Sequence, residues 1–230
     1  VAGLLRSEGL DVNLTTITTH GDTSTASLAA MGGIGVFASA IRAALLEGEA
    51  DIAVHSFKDL PTGRPLGLAI GAVPARADPR DALVARDGLT LHDLPQEASV
   101  GTGSPRRAAQ LLAVRPDLTI VDIRGNVDTR LGRVKGLGHY AKGGGKEDLD
   151  AVVLAASGLA RLGHSGTVTE FLDPSVVLPA PAQGALAVEC RTADSRHGKL
   201  AKALARIDDR RTRLAATAER AVLSLSLIHI

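Results

Sequence analysis

Short runs of β-branched and aliphatic residues alternate with helix-patterned stretches along most of the chain, which restricts it to α/β folds whose strands are joined by crossover helices. The strand-like runs fall at 12–16, 51–54, 68–73, 99–102, 119–123 and 151–154. Helical stretches fill the intervals, most clearly at 35–47, 105–114, 127–134, 194–207 and 208–223. Ser104 followed by Pro105 reads as a helix start, because the hydroxyl caps free amides while proline occupies the first turn without losing a bond. Residues 185–190 read as a further buried strand, which makes Cys190 a core thiol.

Two segments interrupt the alternation. VPARADPRD at 73–81 and LPAPAQG at 178–184 concentrate proline, and both read as hinges between lobes. The chain is expected to leave one lobe at the first, build a second, and return near the other. A chain of 230 residues has the length for this, and a cleft between lobes is the natural ligand site. GLGHYAKGGGKE at 136–147 reads as a flexible surface excursion.

Charge and composition remove several function classes. Lys plus Arg total 26 against 25 Asp plus Glu, so no global field draws the protein to nucleic acid or an anionic membrane, and any anion site must be local. Aromatics are 2% of the chain, too few for base-stacking platforms. No window approaches the roughly 20 unbroken apolar residues of a membrane span. The start, VAGLLRSEGL, lacks a secretion-signal pattern, so a cytoplasmic location is expected. One cysteine excludes an intrachain disulfide framework and a multi-cysteine metal site, and no metal is expected.

Chemistry concentrates at the ends of strand-like runs. HSFKDLPT at 55–62 delivers Lys58 and Asp59 side by side where a strand stops, a favoured position for functional groups, although an isolated pair of this kind is ordinarily a polar surface turn. VGTGSPRRAAQL at 100–111 puts Arg106 and Arg107 in the first turn of a helix, where cations oppose the dipole and something anionic must compensate them. DIRGNVDTRLGRV adds Arg124, Arg130 and Arg133. A solvated basic face is a fair reading of Arg133; for the others, guanidinium forks suit carboxylates or phosphates. Thr102, Ser104 and the amides at Pro105 would cradle a carboxylate or simply cap the helix. His55 reads as a structural residue, not an acid or base.

Six blocks in register, HSFKDLPT, ADPRDALV, VGTGSPRRAAQL, DIRGNVDTRL, LAASGLARLG and LPAPAQGALAVECR, resemble the signature segments of the porphobilinogen deaminases (hydroxymethylbilane synthases) from residue 17 to about 222. The resemblance implies two periplasmic-binding-protein-like lobes with mixed, mainly parallel sheets flanked by helices, plus the start of a small third α+β domain. Domain 1 would be 1–74 with 185–202, domain 2 would be 80–178, and 203–230 would open domain 3. It implies a cytoplasmic monomer, a transferase that joins four porphobilinogen molecules into a linear tetrapyrrole, hydroxymethylbilane, on a dipyrromethane cofactor. Neither nucleic acid nor membrane would be a partner. Asp59 would assist loss of ammonia and stabilise the resulting cation. Arg106, Arg107, Arg124, Arg130 and Arg161, with Thr102, Ser104 and Lys58, would bind acetate and propionate groups. Phe37 would cover the cofactor or fill the lobe.

Three departures from the family pattern qualify this. The chain begins inside the helix that follows the family's first strand. Ile34 and Ser39 stand where many members carry lysines. After TAERAVL at 217–223 the family's cofactor-bearing cysteine has no counterpart, and 225–230, LSLIHI, reads as non-native. The competing expectations are an inactive fragment of the enzyme, or a two-lobe anion receptor; a carboxylate at position 59 among arginines argues against the receptor.

Overall fold

The computed structural model describes residues 1–17, 36–63 and 65–226, the side chains of 36, 37 and 226 excepted. In chain order the elements are helices α1 (Ala2–Ser7) and α2 (Val36–Glu47), strands β1 (Ile52–Ser56), β2 (Leu68–Ala72), β3 (Asp81–Ala85) and β4 (Ser99–Gly101), and helix α3 (Pro105–Val114). Then come β5 (Thr119–Val121), α4 (Val127–Leu131), β6 (Ala151–Ala155), α5 (Ala156–Arg161), β7 (Glu170–Phe171), β8 (Leu186–Arg191), α6 (Gly198–Ile207) and α7 (Arg210–Ser226). They fall into two compact units, Val1–Arg76 with Ala185–Ile230, and Ala77–Gly184.

In the first unit the returning strand β8 lies between β1 and β2 and runs antiparallel to both, with Ile52 opposite Cys190 and Ser56 opposite Leu186. One face packs Ala72, Val188 and Cys190 against Leu5 of α1 and Ala203, Leu204 and Ile207 of α6. A Cβ on Gly71 would meet Leu204 Cδ1 at 2.7 Å and Cys190 Sγ at 2.9 Å, so glycine sets how closely α6 approaches the sheet. The other face packs Ala53 and Leu68 against Leu45 of α2.

The second unit is a five-stranded sheet in the order β5-β4-β6-β3-β7. Its central strands are apolar on both faces, as strands covered on both sides must be. Leu83, Ala85, Ala151 and Val153 join the core containing Leu111, while Ala82, Val84, Val152 and Leu154 join the one containing Leu131 and Leu159.

The α/β class with mixed sheets is as expected, but the strand directions are not mainly parallel. Among the described residues only β4–β5 and β4–β6 are parallel; the pairings of β8 with β1 and β2, and of β3 with β6 and β7, are antiparallel. The reason is the crossing itself: β3 and β8 are each the first strand after the chain changes unit, and no crossover helix turns them into line with their neighbours. Residues 12–16, expected as a strand, are irregular, and Arg6 Nη2 donates to the Val12 carbonyl at 2.7 Å in place of a ladder bond. The helix expected over 127–134 stops at Leu131, and the one expected from 194 begins at Gly198. The glycine-rich stretch 136–147 is pinned: Glu147 Oε1 accepts from the amides of Gly136 and Gly138 at 3.0 and 2.9 Å.

Candidate functional site

In the first unit β1 ends at Ser56 and a single 3-10 turn, Phe57–Asp59, follows. Two buried side chains, Phe57 and Leu60, fasten the turn, and the Phe57 amide donates to Ala185 O at 3.0 Å. The polar pair between these anchors has to face outward, so Lys58 is half-buried and Asp59 exposed. Surrounding protein nevertheless desolvates the Asp59 carboxyl and pushes it above the ordinary carboxylate range, with the Lys58 charge pulling the other way. Behind the turn, Glu189 of β8 is buried and receives Arg42 Nη2 at 3.0 Å, with His55 Nε2 at 3.4 Å. Burial works against the charged form of Glu189, but His55 and Arg42 outweigh it and hold its carboxyl below the usual range. His55 thus lies against a buried carboxylate behind the turn.

In the second unit β4 delivers Thr102, whose buried Oγ1 accepts from the Ser104 amide at 3.2 Å. Ser104 caps α3, its oxygen accepting from the Arg107 amide at 3.5 Å, with Pro105 in the first turn. The anion expected to compensate Arg106 and Arg107 proves to be part of the fold. Asp81, fully buried at the start of β3, receives Arg106 Nη2 at 2.8 Å, Arg107 Nη2 at 2.7 Å and Gln183 Nε2 at 2.8 Å. Burial alone would raise the Asp81 carboxyl; hydrogen bonds and charge from Arg107, then Arg106, bring it below the ordinary range. Both arginines are also tied to backbone, Arg107 to Val153 O at 3.1 Å and Arg106 to Leu178 O. What remains is Arg107 Nε, buried with no hydrogen-bond partner among the described residues. Asp81 and Gln183 escaped the sequence reading because both lie in segments read as hinges.

Arg124 and Arg130 follow β5. Arg124 is exposed, and Arg130 Nε donates to Gly125 O at 2.8 Å. Burial, then repulsion from Arg107 and Arg124, lowers the pKa of Arg130, with Asp122 opposing. Two neighbouring guanidiniums therefore destabilise the charge on Arg130, which a bound polyanion would relieve. Arg133 pairs with Asp148 at 2.7 Å. Arg161 ends α5 and is exposed. Phe37 starts α2, but its side chain lies outside the described residues.

A dipyrromethane carries several carboxylates. The repulsion that Arg130 meets from Arg107 and Arg124 and the unmatched Arg107 Nε fit such a group. Its covalent attachment does not fit Cys190, the only cysteine: the thiol is fully buried in the core of the first unit, and burial, with the charge of Asp194, raises its pKa.

Together these features define a two-unit α/β protein with a raised aspartate at a strand exit in one unit and a cluster of arginines about a helix start in the other. In overall fold it is similar to a periplasmic substrate-binding protein of an ABC transporter from Coxiella burnetii, with a TM-score of 0.51 at 15% identity over 95% of this chain and 92% of that one. Residues 1–199 match the family model described as porphobilinogen deaminase, dipyrromethane cofactor binding domain. The chain is 99% identical over 224 residues to a porphobilinogen deaminase of Cutibacterium acnes and 58% identical over 224 residues to one of Leifsonia xyli, alignments covering 97% of this chain in each case and 67% and 65% of those proteins. It belongs to the porphobilinogen deaminase family and spans about two thirds of the length of these curated relatives. No helix among the described residues is long and apolar enough to cross a membrane.

Proposed function

We propose that this chain supplies the catalytic carboxylate and the carboxylate-binding cations of a transferase that joins four porphobilinogen molecules and one water into hydroxymethylbilane, releasing four molecules of ammonia. The observation that supports it best is Asp59, an exposed aspartate at a strand exit whose carboxyl is held above the ordinary range beside an ammonium. A receptor for small anions gains nothing from a carboxylate so placed. In this reading Asp59 neutralises the cation left when the aminomethyl group of porphobilinogen loses ammonia, and accepts the proton released after each coupling. Arg124 and Arg130, with Arg107 Nε, Thr102 and the capped start of α3, hold the acetate and propionate groups. Arg106 keeps the turn in shape and Lys58 adds positive charge near the reacting centre; Arg161 reaches a more distant carboxylate. Dipyrromethane, when bound, supplies the primer that accepts the first pyrrole. The enzyme works as a cytoplasmic monomer without nucleic acid or membrane, and residues 203–226 open its third domain.

The test is a chimera in which this chain replaces the matching two thirds of the Cutibacterium acnes deaminase. It should convert porphobilinogen to hydroxymethylbilane, and Asp59→Asn should reduce turnover by about 100-fold or more with the fold intact, the range expected for loss of a general acid–base group. Undiminished turnover in a folded Asp59→Asn chimera would remove Asp59 from the reaction.

A further inference from the structure

Arg220, on α7, places its guanidinium on the turn that carries Asp59. Nη1 donates to the carbonyl oxygens of Phe57 at 2.9 Å and Leu60 at 2.8 Å, and Nη2 donates to Pro61 O at 2.6 Å. The same guanidinium lies over the Phe57 ring, its Cζ 4.5 Å from the centroid. The bonded carbonyls bracket Asp59 in sequence, one two residues before it and two directly after it. The guanidinium thus bonds three backbone oxygens and covers a ring, all in one loop.

This arrangement is electrostatically unfavourable for Arg220 itself. Burial, then repulsion from Arg42, lowers its pKa, and Arg42 is already committed to Glu189. A half-buried helix position that needed only apolar cover would be better served by leucine or methionine. What the guanidinium uniquely offers is a planar fork that bonds several carbonyls at fixed relative positions. The loop needs such a fork, because a 3-10 turn leaving a strand has carbonyls with no ladder partner.

We infer that Arg220 is a positioning residue for Asp59: by bonding the backbone on both sides of it, Arg220 fixes where the Asp59 carboxylate is held. The inference rests on the proposed role of Asp59 only for its catalytic consequence. Its structural content stands alone.

The experiment measures amide hydrogen exchange in this chain, comparing the parent with Arg220→Ala, Arg220→Lys and Arg213→Ala. Arg213 is the control, an arginine on the same helix that bonds Asp208 at 2.8 Å and Gly71 O at 3.2 Å and leaves the turn alone. Resistance of the buried Cys190 thiol to modification reports that the first unit remains folded. Arg220→Ala should speed exchange at the Leu60 amide, which donates to Phe57 O, by about tenfold or more, and Arg213→Ala should leave it within about twofold. Unchanged Leu60 exchange in folded Arg220→Ala, or equal acceleration in both variants, overturns the inference. Should Arg220→Ala fail to fold, Arg220→Lys decides: lysine keeps the charge but not the fork, so intermediate exchange supports the inference and parental exchange overturns it.

In the chimera, Arg220→Ala should lower kcat by about tenfold with KM within about twofold, since substrate carboxylates are held elsewhere; a raised KM at unchanged kcat overturns the catalytic part. The two readings fail separately. An active Asp59→Asn chimera defeats the proposed function and leaves the exchange result standing, whereas parental Leu60 exchange in Arg220→Ala defeats only the positioning role.

Discussion

Asp59 and Asp81 are both aspartates at the end of a strand, one leaving β1 and the other opening β3, and their surroundings treat them in opposite ways. Loss of water pushes both carboxyls upward. At Asp59 only the Lys58 ammonium opposes that push, and the carboxyl stays high. At Asp81 two guanidiniums and a carboxamide oppose it, and the carboxyl falls. The number of donors, not the depth of burial, decides which carboxyl is raised and which is lowered. The cations invert the pattern. Arg106 and Arg107 are held by a carboxylate inside the second unit, whereas Arg220 holds a loop through backbone oxygens and a ring.

The comparison breaks most sharply at Asp81. Asp81→Asn keeps the shape but leaves Arg107, 5% exposed, without its counter-charge. Removing one partner of a buried pair costs about 3–5 kcal/mol. Two residues let the units be followed separately: Tyr140, the single tyrosine, packs in the second unit, and Cys190, the single cysteine, in the first. Urea titration of Asp81→Asn should lower the midpoint seen by Tyr140 fluorescence while Cys190 protection changes much less. Equal shifts at both probes would show that Asp81 does not act within its own unit.

Acid should separate the units to a smaller degree. In the second unit Asp81 and Asp150 are lowered; for Asp150, burial is outweighed by bonds from Lys135, Ser99 and Arg86. A carboxyl whose folded pKa is depressed stabilises the fold above its unfolded value, near 4, and loses that contribution as pH falls toward the folded value. The first unit contains the lowered Glu189, which behaves likewise, and the raised Asp59, whose opposite contribution changes above about pH 4 and adds nothing to the fall below it. Between about pH 4 and pH 2 the Tyr140 midpoint should therefore fall more steeply than loss of Cys190 protection, and Asp81→Asn should flatten the Tyr140 curve. A steeper fall at Cys190 would reverse the assignment of the sensitive carboxylates.

How far the sequence carries this comparison depends on the range of the interactions. The start of α3 was legible because Ser104 and Pro105 act within one turn, and the Asp59 turn because it lies between a strand pattern and Pro61. Asp81 was not, because its partners are 25, 26 and 102 residues away, and because a strand that opens with aspartate after VPARADPR looks like more hinge. One signal was available: Glu189 interrupts an otherwise apolar strand beside Cys190, and a charge there requires a buried partner, although nothing local identifies Arg42, 147 residues earlier. Strand direction depended on where the chain changes unit, which periodicity does not encode.

The smallest effect tests whether the turn in the second unit is held by its cap or by Asp81. Ser104 accepts from the Arg107 amide at 3.5 Å, a long bond, while the Thr102 hydroxyl accepts from the Ser104 amide at 3.2 Å and Arg107 is fixed from the other side by Asp81 and Val153 O. A serine cap is worth about 1 kcal/mol in general, and with this geometry Ser104→Ala should cost about 0.5 kcal/mol, read from the Tyr140 urea midpoint. In the Asp81→Asn background the cap becomes one of the few remaining restraints on the first turn of α3, so the same substitution should cost more, a coupling of about 0.5 kcal/mol or greater in a double-mutant cycle. Strict additivity would mean that Asp81 fixes the arginine side chains without fixing the turn, and would leave the helix start held by its cap alone.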